Sequence, residues 1–310
     1  MTGPGDDVVA ADGRAQIFEP GYRPYHGIRL GVSHSVWALA RHTAERIMGL
    51  KRPARYKVLP FAAVAIAYLP AIAFIGIVAL VPDSPRRLSG FIPGPGHYYA
   101  FITAAIILFA ALAAPEALCP DKRSRLLGIY LSSPLNRSTY LLSKAIAVVG
   151  VLLLVTVGPP LLLLVGLALQ NLGPQGFGAF MGTVAQVFGA GGALSLMFGA
   201  VSLAIPSLTD RRAFASAGSL LLMLGSGAIT SVIVFGLGGP KDVLALSINR
   251  LPFELALRIF TLRGLPTGPQ NGFVNSAPLS TGVVVGASVA LTLVAAAVTW
   301  WRVVGTEVTR

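Results

Sequence analysis

Ala145 to Thr209 reads AIAVVGVLLLVTVGPPLLLLVGLALQNLGPQGFGAFMGTVAQVFGAGGALSLMFGAVSLAIPSLT, 65 consecutive residues without an Asp, Glu, Lys or Arg. About 20 mainly apolar residues carry a helix across a hydrocarbon core of about 30 Å, so this run holds two crossings. Asn171, Gly173, Pro174, Gln175 and Gly176 supply the turn between them. Working outward, 25 uncharged residues lie between Lys57 and Asp83, and 28 between Arg87 and Glu116, the latter broken at its start by Pro93-Gly94-Pro95-Gly96. Another uncharged run lies between Arg212 and Lys241, and a last apolar core ends at the pair Trp300 and Trp301, suited to a membrane interface. The reading predicts an all-α integral membrane protein with six transmembrane helices, near 58–81, 97–115, 145–169, 179–206, 213–236 and 282–301.

Composition agrees. The 310 residues are 54% hydrophobic and only 12% charged, whereas soluble domains spend about a quarter of their residues on charge. Six crossings place both termini on one side, and the 24 basic residues choose it: 18 fall on the side of the termini and six on the other, namely Arg86, Arg87, Lys241, Arg250, Arg258 and Arg263. Basic residues concentrate in cytoplasmic loops, so both termini are assigned to the cytoplasm. Residues 1–27 are a polar segment without the apolar stretch of a signal peptide and are read as a flexible cytoplasmic N-terminus. The region 28–57 is an amphipathic helix with a basic collar, 58–302 a single transmembrane domain, and 303–310 a cytoplasmic tail. Arginine outnumbers lysine 19 to 5, which points to a high-GC bacterial genome and hence a bacterial plasma membrane.

At 100° per residue, Val36, Leu39, Thr43, Ile47 and Leu50 gather near Val32, and Arg41, His34, Glu45, His42 and Arg46 fill another sector. Such a helix lies at the membrane interface, with Trp37 widening its apolar side and Arg41 and Arg46 near anionic lipid headgroups, or packs its apolar face on its own protein. Lys51, Arg52, Arg55 and Lys57 follow as the collar. Within the spans, the Gly182, Gly189, Gly191, Gly192 and Gly199 series suits close helix packing. Gly158-Pro159-Pro160 marks a kink that either packs or lines a path.

The segment 116–144 carries more than a loop needs. Pro120 and Asp121 suit a helix start, Ser132-Ser133-Pro134 a stop, and Asn136 or Ser138 a cap on the following helix. Between them Leu126, Leu127, Tyr130 and Leu131 alternate with Lys122, Arg123 and Arg125, a mixture that fits a groove on a soluble partner. Glu116, Cys119-Pro120-Asp121, Arg125, Tyr130-Leu131-Ser132, Pro134-Leu135, Arg137, Tyr140 and Lys144 together resemble the loop after the second span of ABC-2-type permeases, the membrane subunits of bacterial ABC transporters. The resemblance implies a cytoplasmic coupling helix near 120–132 docking on an ABC ATPase subunit, with Asp121, Arg123, Arg125, Leu127 and Tyr130 in the contact. It also implies a second permease chain, the same or homologous, with the translocation path between the two. Short external helices between spans five and six would form an outer gate, for which Arg250, Glu254 and Arg258 are the candidates. The residues alone read 247–260 as a surface helix capped by Asn249, with Glu254 four residues from both arginines.

A phosphate-binding GxxxxGK[ST] loop requires a lysine after glycine, and none of Lys51, Lys57, Lys122, Lys144 and Lys241 has one. ATP and Mg are therefore expected on the partner ATPase, with no cofactor, metal or catalytic residue on this chain and no nucleic-acid partner. Ser226 in Gly225-Ser226-Gly227 has no acid or histidine to activate it, and His97 stands alone at a span's outer end. The function read from the sequence is the permease subunit of an ATP-driven exporter of a hydrophobic or amphipathic substrate such as a drug, antibiotic or lipid. An ion-coupled secondary transporter or channel is the alternative, weakened by the lack of ionisable residues within the spans.

Overall fold

A computed structural model describes residues 31–51, 53–80, 92–131, 135–260 and 279–305, except for the side chains of Leu127 and Leu131. Every regular element among them is helical. Helix α1 (Val32–Ile47) is followed by a 3-10 turn (Ala54–Tyr56) and the first long apolar helix, α2 (Val58–Leu80). Then come α3 (Pro95–Arg123), the short α4 (Leu127–Leu131), and α5 (Arg137–Thr156) with α6 (Gly158–Leu169), which together form one span-length rod. Helix α7 (Phe177–Leu208) precedes α8 (Arg212–Ser231), which ends in a π-helical turn (Val232–Gly236). A 3-10 segment (Lys241–Leu246), α9 (Arg250–Ile259) and α10 (Thr281–Val304) complete the order. Among the described residues, six helical stretches are long and apolar enough to cross a membrane.

Helix α3 is the axis. Its most apolar window is 72% buried, against 17–28% for α2, α8 with its π turn, and α10, which form the periphery. Alanine explains this: Ala105, Ala110, Ala111, Ala113, Ala114 and Ala117 are all buried, and short side chains around the whole circumference let neighbours approach from every direction. Tyr98 and Tyr99 at its start are also buried, and their hydroxyls donate to the carbonyls of Ala67 (2.7 Å) and Val187 (3.2 Å), anchoring α2 and α7.

The helix that holds the predicted second span, 97–115, continues eight residues beyond it. Helix α3 runs through Pro115, Glu116, Pro120 and Asp121 to Arg123, so Pro120 lies inside a helix rather than starting one. Counting uncharged residues locates the lipid-embedded part of a helix, but a helix whose charges are neutralised by neighbouring helices can continue past them. The predicted coupling helix near 120–132 correspondingly shrinks to α4, after a turn in which Arg125 holds a left-handed φ of 50°.

The break between α5 and α6 falls where Gly158-Pro159-Pro160 placed it. Pro159 and Pro160 cannot donate to the carbonyls of Val155 and Thr156. The exposed-side carbonyl of Leu154 takes a bond from the Tyr68 hydroxyl at 3.0 Å, and the Thr156 hydroxyl lies 3.0 Å from the Gly191 carbonyl and 2.7 Å from Ser195 Oγ. A Cβ on Gly191 would stand 2.5 Å from Val157 Cγ2 and 3.1 Å from the Thr156 carbonyl oxygen, so the kink and the glycine of α7 fit as a pair.

Candidate functional site

The last two turns of α3 gather the charges at the end of the bundle that carries α1. Asp121, only 1% exposed, accepts from Arg46 Nη1 of α1 at 2.7 Å, from Lys144 Nζ of α5 at 2.6 Å, and from the Tyr140 hydroxyl at 3.0 Å. Arg46 Nη2 donates to the Ala117 carbonyl at 2.9 Å. Lys144 is fully buried and also donates to Thr43 Oγ1 at 3.0 Å. The rings of Tyr130 and Tyr140, 5.7 Å apart, face its ammonium at 5.6 and 5.3 Å, within range of a cation–π attraction. Burial first, and then the Asp121 carboxylate, raises the pKa of the Tyr130 phenol above its usual value. One carboxylate thus ties α1, α3 and α5 and brings the α4 aromatic onto the same cation.

Neighbouring side chains extend the knot. Lys122 Nζ donates to the carbonyls of Pro206 (3.0 Å) and Ser207 (2.5 Å), where the last turn of α7 presents unpaired acceptors and the negative end of its dipole. Glu116, 3% exposed, pairs with Arg212 of α8 at 2.6 Å. Arg137, at the start of α5, donates to the Val304 carbonyl at the end of α10. Asn136 and Thr139 form the reciprocal cap of α5, with Thr139 N donating to Asn136 Oδ1 at 2.8 Å and Asn136 N to Thr139 Oγ1 at 2.9 Å. Every span-length helix except α2 is tied into this end by a side chain of this set.

These placements divide the predicted contact residues. Arg123 and Arg125 are exposed, Tyr130 is half-buried, and the Leu127 side chain lies outside the described residues. Asp121 departs from expectation: it lies inside the protein, because two cations and a phenol offset the cost of burying it. Arg46 departs too, turning inward to Asp121 with its side chain only 11% exposed instead of facing lipid headgroups. Trp37 and Arg41 are exposed, and Arg41 pairs with Glu45 at 3.3 Å. Glu45 also pairs with Lys51 at 2.6 Å, and the bond from Lys51 is the main reason its pKa lies below the ordinary glutamate value. Leu39, Ala40, Thr43 and Ile47 bury the other face of α1 against α3 and α5. Sequence reasoning missed Ile129, which is 67% exposed between the arginines and the tyrosine. Reading α4 as starting at Leu127 would have found it, since Ile129 then projects away from the hub.

At the opposite end, α9 is not a surface helix. Leu251, Pro252, Phe253, Glu254, Ala256 and Leu257 are buried, Ile259 reaches Gly189 of α7, and the Phe260 ring lies 6.2 Å from that of Tyr99. Gly189 is twelve residues into α7, so α9 dips roughly 18 Å from that helix's start. The solvated reading of the ion pair is therefore corrected: Glu254 and Arg258 meet at 2.5 Å under 2% and 8% side-chain exposure, and Arg258 also donates to the carbonyls of Glu254 (2.7 Å) and Leu279 (2.8 Å). Arg250 stands apart, its guanidinium 5.5 Å over the Phe235 ring, and burial lowers its pKa more than Glu254 raises it. The expected Asn249 cap makes no side-chain bond; Ser247 Oγ accepts from Arg250 N at 3.2 Å instead. Ser226, the serine of the glycine-flanked motif, accepts from Ile248 N at 3.1 Å and donates to the Met223 carbonyl at 3.1 Å, which gives it a structural part joining α8 to this segment.

Residues 88–301 match the family model described as "ABC-2 family transporter protein". No curated protein matches the chain. The matched range begins before α3 and ends within α10, so it takes in α4, α9 and the Asp121, Tyr140 and Lys144 part of the hub, but not α1 with Arg46.

Proposed function

This chain belongs to the ABC-2 transporter family, and on that premise we propose that it is the permease subunit of an ATP-driven exporter, coupled through α4 to a separate ABC ATPase. The observation that carries the reading is the exposed tip made by Arg123, Arg125 and Ile129, two cations followed by one apolar side chain, seated on a buried hub. Such a tip combines an anchor for a hydrophobic pocket with charges that select an acidic rim. Force applied there has a short route into the bundle: α4 joins α3 through three residues, and Tyr130 rests on the cation that Asp121 holds.

In this reading α1 and both termini face the cytoplasm, ATP and Mg bind the partner chain, and this subunit is not catalytic. A second permease chain completes the path, along which the α9 segment with Arg250, Glu254 and Arg258 stands as the outer gate. The apolar lining available from the spans suits a hydrophobic or amphipathic solute such as a drug, antibiotic or lipid. The experiment is co-expression with the ATPase gene that neighbours this one, followed by purification through this chain. The ATPase co-purifies with the wild type and is lost from Arg125→Glu combined with Ile129→Asp, whereas Arg41→Glu, on the outer face of α1, retains it. Failure to recover an ATPase, together with transport in vesicles driven by an ion gradient alone, would replace this reading with that of a secondary carrier.

A further inference from the structure

Arg250, the first residue of α9, is half-buried at the end of the bundle opposite α1. Its backbone N–H donates to Ser247 Oγ at 3.2 Å, but among the described residues its side chain forms no hydrogen bond. Nη1 is sealed from solvent without a partner, while Nε and Nη2, equally unbonded, remain accessible. Glu254 is the charged group that acts on it, yet that carboxylate is held by Arg258 at 2.5 Å. The position itself disfavours a cation, since the positive end of a helix dipole lies at its first turn. The neighbour that does favour the charge is the Phe235 ring, whose centroid is 5.5 Å from the guanidinium carbon. A ring attracts the flat face of a guanidinium and leaves the in-plane N–H edge free to donate. Arg250 thus presents an accessible edge of donors that no described group of this chain accepts.

The level of this edge is set by α8. Phe214, Leu221, Leu224, Val232 and Phe235 are all exposed and follow one another at intervals of 7, 3, 8 and 3 residues, which puts them on one outward face. An arginine caps the stripe at each end, for Arg211 lies 5.8 Å from the Phe214 ring as Arg250 does 5.5 Å from that of Phe235. At about 1.5 Å per residue the two rings stand roughly 30 Å apart, one hydrocarbon thickness. Arg250 is therefore at the headgroup level of the leaflet away from α1, at the top of an apolar stripe. Arg211 is exposed, so water serves its donors; Arg250 is half-buried.

We infer that Arg250 receives the oxyanion headgroup of an amphiphile standing in that leaflet with its tail against the α8 stripe. A phosphate or carboxylate suits the forked edge, and the apolar face beside it favours a headgroup that carries a tail over a free ion. The binding stands on this geometry alone, whereas its consequence for transport rests on the permease reading: the exported solute is then an anionic amphiphile.

The test is native mass spectrometry of the full chain released from dodecyl maltoside micelles that contain monododecyl phosphate, an oxyanion on the detergent's own tail. Wild type retains dodecyl phosphate. Arg250→Gln lowers that retention about tenfold, the worth of one charge-assisted hydrogen bond, and keeps the wild-type Tm, because the side chain gives up no hydrogen bond to a described residue. Arg211→Gln, at the solvated end of the stripe, retains the probe as wild type does. Dodecyltrimethylammonium, the opposite charge on the same tail, is not retained, and excess inorganic phosphate does not displace dodecyl phosphate. Equal retention by wild type and Arg250→Gln, an equal loss in Arg211→Gln, a lowered Tm in Arg250→Gln, retention of the ammonium compound, or displacement by inorganic phosphate would each overturn the assignment. No ATPase enters the measurement, so its failure leaves the permease reading standing, and a failure to recover an ATPase leaves the binding result standing.

Discussion

Asp121→Asn is the most informative single change. The asparagine keeps the shape of the side chain but removes the only carboxylate within bonding distance of Lys144 Nζ (2.6 Å) and Arg46 Nη1 (2.7 Å) among the described residues. Each bond from a charged donor is worth about 1.5–3 kcal/mol, but their sum overstates the loss, because the two bonds share an acceptor and are not additive. The better guide is the cost of leaving a buried charge uncompensated, about 3–5 kcal/mol. Lys144 sets the upper end, since it is fully buried and its remaining neighbours are a threonine hydroxyl and two aromatic rings. At a few degrees per kcal/mol for a chain of this size, Tm falls by roughly 10 °C.

The protein carries its own reporter. Cys119 is the single cysteine, buried two residues from Asp121 with its thiol against the Thr209 carbonyl at 3.7 Å. Labelling by a thiol-reactive dye during heating of the full chain therefore follows the opening of this end of the bundle. The decisive comparison is the triple change Asp121→Leu, Arg46→Met and Lys144→Met. Replacing a whole buried ionic cluster by apolar groups of similar volume is often neutral, so the triple variant recovers most of the stability that Asp121→Asn loses. If Asp121→Asn labels at the wild-type temperature, or if the triple variant is no more stable than the single one, the hub does not act as a compensated buried charge and the reasoning is wrong.

Three further outcomes follow from local geometry and are read in the same assay unless stated. Gly191→Ala lowers stability by about 1–3 kcal/mol, because its Cβ would meet Val157 Cγ2 at 2.5 Å; Gly182→Ala, with open space around it, does not. Arg125→Val costs roughly 1–2 kcal/mol from its left-handed φ of 50°, whereas Arg125→Gly keeps the fold and loses only the surface charge, seen as reduced ATPase recovery at unchanged Tm. Glu45→Gln leaves Tm unchanged, since its partners Arg41 and Lys51 are each 75% exposed. The depressed pKa of Glu45 means that whatever these pairs contribute is present above the ordinary glutamate pKa and fades as pH falls through the folded-state value. A titration of wild-type Tm from pH 7 to 4 should therefore coincide with that of Glu45→Gln.

Counting charge-free runs set each of the six predicted spans on a long apolar helix: 58–81 on Val58–Leu80, 179–206 on Phe177–Leu208, 213–236 on Arg212–Gly236 and 282–301 on Thr281–Val304, with 97–115 lying inside Pro95–Arg123 and 145–169 inside Arg137–Leu169. Lipid contact is a one-dimensional constraint, and composition reports it directly. The second helix continues past its charge-free run because its last turns are solvated by protein: Glu116, Asp121 and Lys122 each find a partner on a helix that lies 75 to 96 positions away in the sequence. Amphipathic projection found the buried stripe of α1, Leu39, Thr43 and Ile47, yet assigned Arg46 to the wrong environment. Arg46 sits at the edge of the polar sector, and only the position of Asp121 in three dimensions turns it inward. The same limit hid the burial of Glu254 and Arg258, since an i,i+4 pair looks alike on a surface helix and on one inserted among spans.

Helix α4 has five residues, far below the length at which an isolated helix is stable in water. Its order must therefore be borrowed, and the described lender is the hub, through Tyr130 against Lys144 and Tyr140. Binding at the tip and integrity of the hub are then linked quantities: a partner that recognises the ordered α4 stabilises the folded hub by mass action, and a weakened hub lowers the partner's apparent affinity by the fraction of α4 that remains ordered. On the proposed docking, Tyr130→Ala lowers ATPase recovery without touching Arg123, Arg125 or Ile129, because it removes the ring that seats α4 against Lys144 and Tyr140. On the proposed docking, the segment 116–144 divides the work, the buried Asp121 carboxylate supplying the rigidity and the exposed tip the contact.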